Sequence, residues 1–379
     1  MTSNDGHTDY FGRLNAALKK YARAIPCMLV DLDRVDHNIA RFQATLNPKC
    51  DVRLVVKSLP SWPLIQYISQ RLGTNKLMVF HQPFLTDLTS KLNAKADVLL
   101  GKPMPIKTAC YYYDHLPECT VGFDPYRQIQ WLVDTQVRLE EYTDLAKTLG
   151  RKLRLNLEID VGLHRGGFAT LEELSTALAW FQTHPDHIEF SGFMGYDPHV
   201  VKMPRILRSV RKGLEKSNQF YRACTLLVQT DFPDLWHDDL TFNGAGSPTA
   251  SLHQFADSPL NDIAAGSCFV KPSTFDIPTL EDYLPTCFIA TPVLKKLSGT
   301  QLPGLETFRS WLPIFKPSWA QSFFIYGGYW KADYVFPPGV RENKLFGPST
   351  NQSMINAPRD VKLAVDDFVF LRPWQSEFV

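Results

Sequence analysis

The chain has 379 residues, of which 44% are hydrophobic and 21% are charged, a balance typical of a protein that buries a sizeable core. This length favours two domains, because a single hydrophobic core usually stops growing below it. Lys and Arg number 40 against 39 Asp and Glu, so the net charge of +1 gives no overall field to attract nucleic acid or an anionic membrane. A small-molecule partner is therefore expected.

The seven cysteines are scattered without a CxxC pair, and their number is odd. This pattern favours free thiols in a reducing compartment over a disulfide framework. The N-terminal segment is polar and has no apolar signal-peptide core, and no run approaches the roughly 20 apolar residues of a membrane-spanning helix. We therefore expect a cytoplasmic protein without a membrane partner.

The N-terminal part of the chain precedes the repeating pattern described next. Residues 1–24 are interpreted as an N-terminal extension. The run CMLVDL (27–32) and the helix-like segment RVDHNIARFQATL follow it. We assign residues 25–50 to the first domain by sequence order, with packing against the C-terminal domain as the alternative.

From residue 51 onward, short apolar runs alternate with longer amphipathic segments, which is typical of βα units in a parallel sheet. Their near-continuous Val, Leu, Ile and Phe content suits strands that are covered on both faces. The eight runs are VRLVVK (52–57), KLMVF (76–80), DVLLG (97–101), TVGF (120–123), LRLNLEI (153–159), IEFSGFMG (188–195), LTFNGAG (240–246) and DIAAGS (262–267). They predict an α/β fold, a (β/α)8 TIM barrel, in a domain over residues 25–275.

The C-terminal part of the chain has a different texture. Beyond residue 280 the sequence is rich in Pro and aromatic residues, with short strand-like runs such as SFFIYGGYW and DDFVFLRP. It shows no convincing helical periodicity. We therefore predict a β-rich second domain over residues 276–379.

Lys57 ends the first predicted strand, and the working residues of a parallel barrel lie at the C-terminal ends of its strands. Partial desolvation after Leu-Val-Val would lower the pKa of this amine and make it a better nucleophile toward a carbonyl. A surface Lys at a strand terminus is the simpler alternative.

Two later strand ends supply complementary groups. The segment EIDVGLHRGGF contains Asp160, His164 and Arg165, and an Arg there can donate hydrogen bonds to a phenolate or a carboxylate. The loop FNGAGSPTASL (242–252) can form a phosphate cradle from backbone N–H groups and hydroxyls. A turn with solvated charges and an ordinary Gly-rich turn remain the alternatives. Together with the amine, these groups would surround a phosphorylated aldehyde in one barrel mouth.

The same segments resemble the pyridoxal phosphate (PLP) enzymes of the alanine-racemase barrel class, fold type III. Within that class they are most similar to the D-threonine aldolase and D-serine dehydratase family. The matching stretches are IPCMLVDLDRVDHNI, VVKSL, EIDVGLHRGGF, FSGFMGYDPHV, FNGAGSPT and DIAAGSCFVKPSTFD, over about residues 25–276. The resemblance implies a PLP-binding barrel, a C-terminal β-domain, a small amino-acid substrate and a homodimer with active sites near the interface.

The resemblance also implies site residues. Lys57 matches the Lys that carries PLP as a Schiff base, and Arg165 matches the Arg that faces the phenolic oxygen of the cofactor. Tyr196 matches the Tyr after the sixth strand, near the cofactor. The phosphate loop of the family is matched by Asn243, Gly244, Gly246 and Ser247.

The chain departs from this family at positions that act on a β-hydroxyl. Relatives follow the Schiff-base Lys with Thr and His, whereas this chain has Ser58 and Leu59, and Leu cannot move a proton. Their C-terminal metal pair is matched by Gln375 and Glu377, so no zinc site is expected, and a hard cation held mainly by water stays an open alternative. Tyr326 stands where an acidic residue is usual, and STNQSMI (349–355) where relatives place another His.

The remaining groups suffice for chemistry at Cα, because PLP delocalises a carbanion and Lys57 can take or return the proton. A second base would be required for racemisation, and the candidates are Tyr196, which matches a family position, and His199, His164 and His81. Three hypotheses follow: a lyase of the aldolase or dehydratase kind acting on a D- or β-hydroxy-amino acid, a metal-independent racemase or epimerase, and a PLP-binding protein without turnover.

Overall fold

The computed structural model describes residues 3–119, 121–202, 209–255, 257–300, 317–347 and 349–378. The chain divides into two compact units. The barrel unit comprises His37–Phe269 and Ile277–Tyr283, and the β-unit comprises Met1–Asp36, Val270–Asp276 and Leu284–Val379. None of the helices in the described ranges combines the length and the apolar character needed to cross a membrane.

The strands and helices are numbered in chain order. The strands are β1 (Cys27–Val30), β2 (Asp51–Val55), β3 (Lys76–Val79), β4 (Asp97–Leu100), β5 (Ile129–Val133), β6 (Leu153–Glu158), β7 (Ile188–Gly195), β8 (Thr241–Gly244), β9 (Asp262–Ala265), β10 (Cys287–Leu297), β11 (Gln321–Tyr326), β12 (Ala332–Phe336), β13 (Arg341–Glu342), β14 (Gln352–Ala357) and β15 (Phe368–Pro373). The helices are α1 (Ser3–Tyr21), α2 (Leu32–Ala44), α3 (Trp62–Leu72), α4 (Gln82–Thr89), α5 (Ile106–Asp114), α6 (Gln136–Leu149), α7 (Leu171–Thr183), α8 (His199–Lys202), α9 (Val210–Asp231) and α10 (Ser267–Val270).

Strands β2 to β9 form a closed barrel of eight parallel strands. Each strand pairs with the next along the chain, and β9 closes the barrel on β2. Strands β3 to β9 are almost entirely buried, as strands with helices outside and side chains inside must be. The predicted α/β TIM barrel is confirmed.

One predicted barrel strand is wrong. Residue 120 of TVGF (120–123) lies outside the described residues, and the rest of that segment contains only an isolated bridge at Gly122. The fourth barrel strand is instead β5, with the sequence IQWLV. Gln130 interrupts its apolar run, although this side chain is fully buried in the barrel and donates to Asp97 Oδ1 at 3.0 Å. The buried Gln130 is therefore the reason why this strand was not recognised from the sequence.

A buried ion-pair network crosses the barrel near the starts of its strands. Arg53 is fully buried and donates from Nη2 to Asp262 at 2.9 Å and from Nη1 to Asp97 at 2.6 Å. Asp262 is also fully buried. A buried charge is tolerated only when it is paired and hydrogen-bonded, so these partners allow an Arg to occupy the barrel interior.

The β-unit contains a seven-stranded antiparallel sheet with the order β12-β15-β10-β11-β14-β13, and β1 pairs with β10. The predicted β-rich C-terminal domain is confirmed. The early run CMLVDL contributes β1, which pairs antiparallel with β10 from Cys27 opposite Ala290 to Val30 opposite Cys287. The sheet is covered on one face by a core that includes Val293, Phe323, Ile325 and Leu371, and on the other by one that includes Phe11, Phe288 and Phe370.

Candidate active site

Lys57 lies at the C-terminal end of the first barrel strand. It belongs to the short 3₁₀ turn Val56–Ser58, directly after β2. Its Nζ lies 5.2 Å from the centre of the Phe80 ring, which follows β3. Leu59 is fully buried, so the side chain that replaces the family's His is a core residue.

The turn after β6 is organised by Asp160. Its Oδ1 accepts the backbone N–H groups of Gly162 and His164, each at 2.9 Å, and its Oδ2 lies 2.8 Å from His164 Nδ1. Burial alone would raise the pKa of the Asp160 carboxyl, but these hydrogen bonds hold it below its usual value. The same bonds stabilise His164 in a left-handed conformation with φ of 57°. This turn presents Arg165 as an exposed side chain.

Arg165, Tyr196 and Gly246 lie together, although they follow three different strands. The guanidinium carbon of Arg165 is 5.2 Å from the centre of the Tyr196 ring. A Cβ added to Gly246 would lie 2.7 Å from Tyr196 Cε2, so only a glycine lets the loop approach the ring this closely. The structure therefore brings together predicted residues from the ends of β6, β7 and β8.

Further contacts connect the loop after β8 with the turn that carries Lys57. Ser247 Oγ accepts the backbone N–H of Gly266 at 3.2 Å. A Cβ on Gly266 would lie 3.0 Å from Ser58 Cβ, and Ser267 Oγ donates to Ser58 Oγ at 3.0 Å. The segment after β9 thus joins the neighbour of Lys57 to the predicted phosphate loop.

The loop itself has the properties of an anion site. Gly246 and Ser247 are buried, and within the described part of the chain neither of their backbone N–H groups has an acceptor. Buried N–H groups are nearly always paired, so two adjacent unpaired ones fit an anionic oxygen such as that of a phosphate. Gly244 lies just before them, where a Cβ would meet Gly195 O at 3.0 Å. Asn243 faces the barrel interior, where its Nδ2 donates to Asp262 Oδ1 at 2.5 Å.

Two predicted histidines have neighbours that the structure defines. His199 Nε2 lies 3.3 Å from Ser217 Oγ of α9, and a Cβ on Gly162 would lie 3.2 Å from the same nitrogen. His81 is exposed, and its ring packs edge-on against Phe84 with the centroids 4.6 Å apart. The catalytic role of His199, and His81 as an alternative second base, stay predictions.

The positions that match the family's metal pair lie after β15. Gln375 and Glu377 are both exposed, and Ser376 Oγ donates to Glu377 Oε2 at 3.3 Å. Tyr326 ends β11 and is 41% exposed. The described residues contain no group of three or more His, Cys, Asp or Glu side chains arranged to hold a metal ion.

Glu158 is a candidate that sequence reasoning missed. It ends β6, two residues after Asn156, whose side chain donates to Gln130 Oε1 inside the barrel at 3.2 Å. Side chains alternate along a strand, so Glu158 faces the barrel mouth. Burial raises the pKa of its carboxyl to about 7, with Arg165 opposing that shift and Asp134 adding to it. The polar alternation in LRLNLE was the signal that could have identified it.

Replacing Glu158 with Gln is expected to remove a pH dependence of stability. The native pKa of about 7 lies above the ordinary value of 4.5, so the folded state favours the protonated carboxyl. The stability that this group contributes is complete below about pH 4.5 and is lost as the pH rises through 7. Glu158→Gln should therefore raise the free energy of unfolding at pH 8 by roughly 1–3 kcal/mol and change it little at pH 5. Urea unfolding at both pH values measures this, with the exposed Glu140→Gln as the control. An equal gain at both pH values would contradict it.

Comparison with known proteins decides the family. A sequence model described as "Alanine racemase, N-terminal domain" matches residues 30–258, more than half of the chain. The chain belongs to the alanine racemase N-terminal domain family. This confirms the resemblance inferred from the motifs. No curated protein sequence matches the chain.

Solved structures share the architecture over most of their length. A D-threonine aldolase from Filomicrobium marinum has a TM-score of 0.66 at 13% identity, covering 93% of this chain and 87% of its own. An alanine racemase from Bacillus anthracis with bound L-Ala-P has a TM-score of 0.66 at 16% identity, covering 91% and 85%. A D-threo-3-hydroxyaspartate dehydratase from Delftia sp. HT23 has a TM-score of 0.63 at 15% identity, covering 93% and 90%. At these identities the likeness shows a common fold.

Proposed function

We propose that this chain is a PLP-dependent enzyme that acts on a D- or β-hydroxy-amino acid, as a lyase of the D-threonine aldolase and D-serine dehydratase kind. The observation that carries the proposal is the convergence of three kinds of group at one end of the barrel. They are the amine of Lys57, the guanidinium of Arg165 and the unpaired N–H groups of Gly246 and Ser247. An aldolase and a dehydratase are among the proteins that share the fold.

PLP, when bound, supplies an electron sink that makes the Cα–H of an attached amino acid acidic. The N–H groups of Gly246 and Ser247 would bind its phosphate, and the Ser247 hydroxyl would donate to it. Arg165 would donate to its phenolic oxygen, an interaction that favours the ionised phenol. Lys57 would form the covalent attachment through Nζ, and its freed amine would take or return the Cα proton.

A metal-independent racemase or epimerase is the second candidate, and the buried Leu59 favours it. This residue cannot polarise or deprotonate a β-hydroxyl, whereas exchange of the Cα proton needs no group at that position. Racemisation requires a second proton carrier opposite Lys57. Tyr196 is the best placed of the predicted residues, since its ring contacts both Arg165 and the phosphate loop.

The test uses the PLP-loaded protein with D-threonine, D-serine and D-alanine, each with and without Mg²⁺ or Mn²⁺. Released aldehyde supports an aldolase, and ammonia with a keto acid supports a dehydratase. Solvent deuterium at Cα without cleavage supports the racemase. A protein that binds PLP but turns over none of a broad amino-acid panel is a PLP-binding protein without turnover, and that result contradicts both proposed activities.

Gly246→Ala is expected to weaken PLP binding by roughly tenfold or more. The new methyl group would overlap the Tyr196 ring at 2.7 Å, so the ring or the loop must shift and the N–H groups lose their alignment. Titration of the apoprotein with PLP measures the effect. Gly213→Ala is the matched control, because a Cβ there meets only ordinary contacts from 3.8 Å. Equal affinity in the two variants would show that the loop geometry does not govern cofactor binding.

A further inference from the structure

Asp197, directly after Tyr196, is a buried carboxylate with two partners in the segment after the phosphate loop. Only 3% of its surface is exposed. Its Oδ1 accepts the Thr249 hydroxyl at 2.6 Å, and its Oδ2 accepts His253 Nε2–H at 2.8 Å. Thr249 is fully buried and His253 is 3% exposed. Because burial of an unpaired carboxylate is strongly unfavourable, these two hydrogen bonds hold the segment tightly to the end of β7.

The two partners are rigidly connected to the phosphate loop. The backbone N–H groups of Thr249 and Ala250 both donate to Gly246 O, at 2.9 and 2.8 Å. His253 lies one turn further on, and its Nδ1 is 3.0 Å from Ser258 Oγ. Holding Thr249 in place therefore fixes the carbonyl of the Gly246–Ser247 peptide, whose nitrogen carries one of the two N–H groups that fit a phosphate.

Asp197 also follows Tyr196 directly in sequence, and the Tyr196 ring is the group that a Cβ built on Gly246 would meet first, at 2.7 Å. We propose that Asp197 is a positioning residue which, through Thr249 and His253, aligns the Gly246–Ser247 loop for the phosphate of the cofactor. This inference rests on the proposed PLP function and adds to it the residues that set phosphate affinity.

The test compares PLP with pyridoxal, which differs only by the absence of the phosphate. Apoprotein variants Asp197→Asn, Thr249→Val and Thr249→Ser are titrated with each compound, and the thermal unfolding of each apoprotein is recorded. Asp197→Asn and Thr249→Val should bind PLP roughly tenfold more weakly, because a misaligned loop loses a hydrogen bond to the phosphate. Their affinity for pyridoxal should stay at the wild-type value. Thr249→Ser keeps the hydroxyl and should retain the wild-type affinity for PLP.

Thr143→Val is the matched control, since Thr143 is also a fully buried threonine whose hydroxyl donates to a carbonyl, on α6. It should leave the ratio of the two affinities unchanged, whatever it does to thermal stability. Equal losses for PLP and pyridoxal, or no loss in either Asp197→Asn or Thr249→Val, overturn the positioning role and leave the proposed function standing. A wild-type protein that binds neither compound refutes the proposed function, and the positioning role falls with it.

Discussion

Replacing Lys57 with Ala is expected to abolish covalent capture of PLP and to lower turnover by roughly 10³-fold or more. Lys57 is the amine at the end of β2, and contacts through Ser58 and Ser267 connect its turn with the phosphate loop. After incubation with PLP and reduction with borohydride, wild-type protein should carry a stable mass addition. The variant should carry none at this position, because no other group replaces the amine of the Schiff base.

Lys102→Ala is the matched control for this experiment. Lys102 is exposed and follows β4, so it also lies near the C-terminal end of a barrel strand. It should keep the mass addition, and peptide mapping should place the label on Lys57. A Lys57→Ala protein that is labelled as fully as wild type would falsify the assignment of the cofactor lysine.

Arg53→Met is expected to destabilise the barrel unit by about 3–5 kcal/mol. The substitution removes the cation that pairs with Asp262 at 2.9 Å and Asp97 at 2.6 Å and leaves the fully buried Asp262 without its main partner. Lys76 Nζ lies 3.4 Å from Asp262 and compensates only in part. Burial alone would raise the pKa of the Asp97 carboxyl, and Arg53 holds that pKa below its usual value. Asp97 is therefore ionised beside Arg53.

Urea unfolding followed by circular dichroism measures this loss. Arg138→Ala breaks a surface ion pair with Glu141 and should change the free energy of unfolding by less than about 1 kcal/mol. The double variant Arg53→Met with Asp262→Asn should recover part of the loss, because it removes the unpaired charge as well as the cation. A double variant as unstable as the sum of the two single changes would show that charge burial is not the cause.

Seven of the eight barrel strands and the β-rich second domain were predictable because their apolar runs are continuous or bounded by turns. The strand β5 was not, since Gln130 reads as a surface residue until its burial and its acceptor Asp97 are known. The polar alternation in LRLNLE marks Glu158 as a polar position but does not show on which face of the sheet it lies. Its neighbours are apolar, and only the closure of the barrel shows which face of β6 lies inside.

The candidate site shows the same division. Motifs predicted Lys57, Arg165 and the Gly-rich loop as site residues, because a strand end, a cation and a glycine turn are local features of the sequence, and the family resemblance added Tyr196. Only the tertiary structure showed that Asn243 turns inward to Asp262 and that His199 packs against Ser217. It also joined Asp197 to Thr249, 52 positions along the chain. Local chemistry determines which groups are available, whereas hydrogen bonds between distant segments decide where each group points, and these form only when the barrel closes.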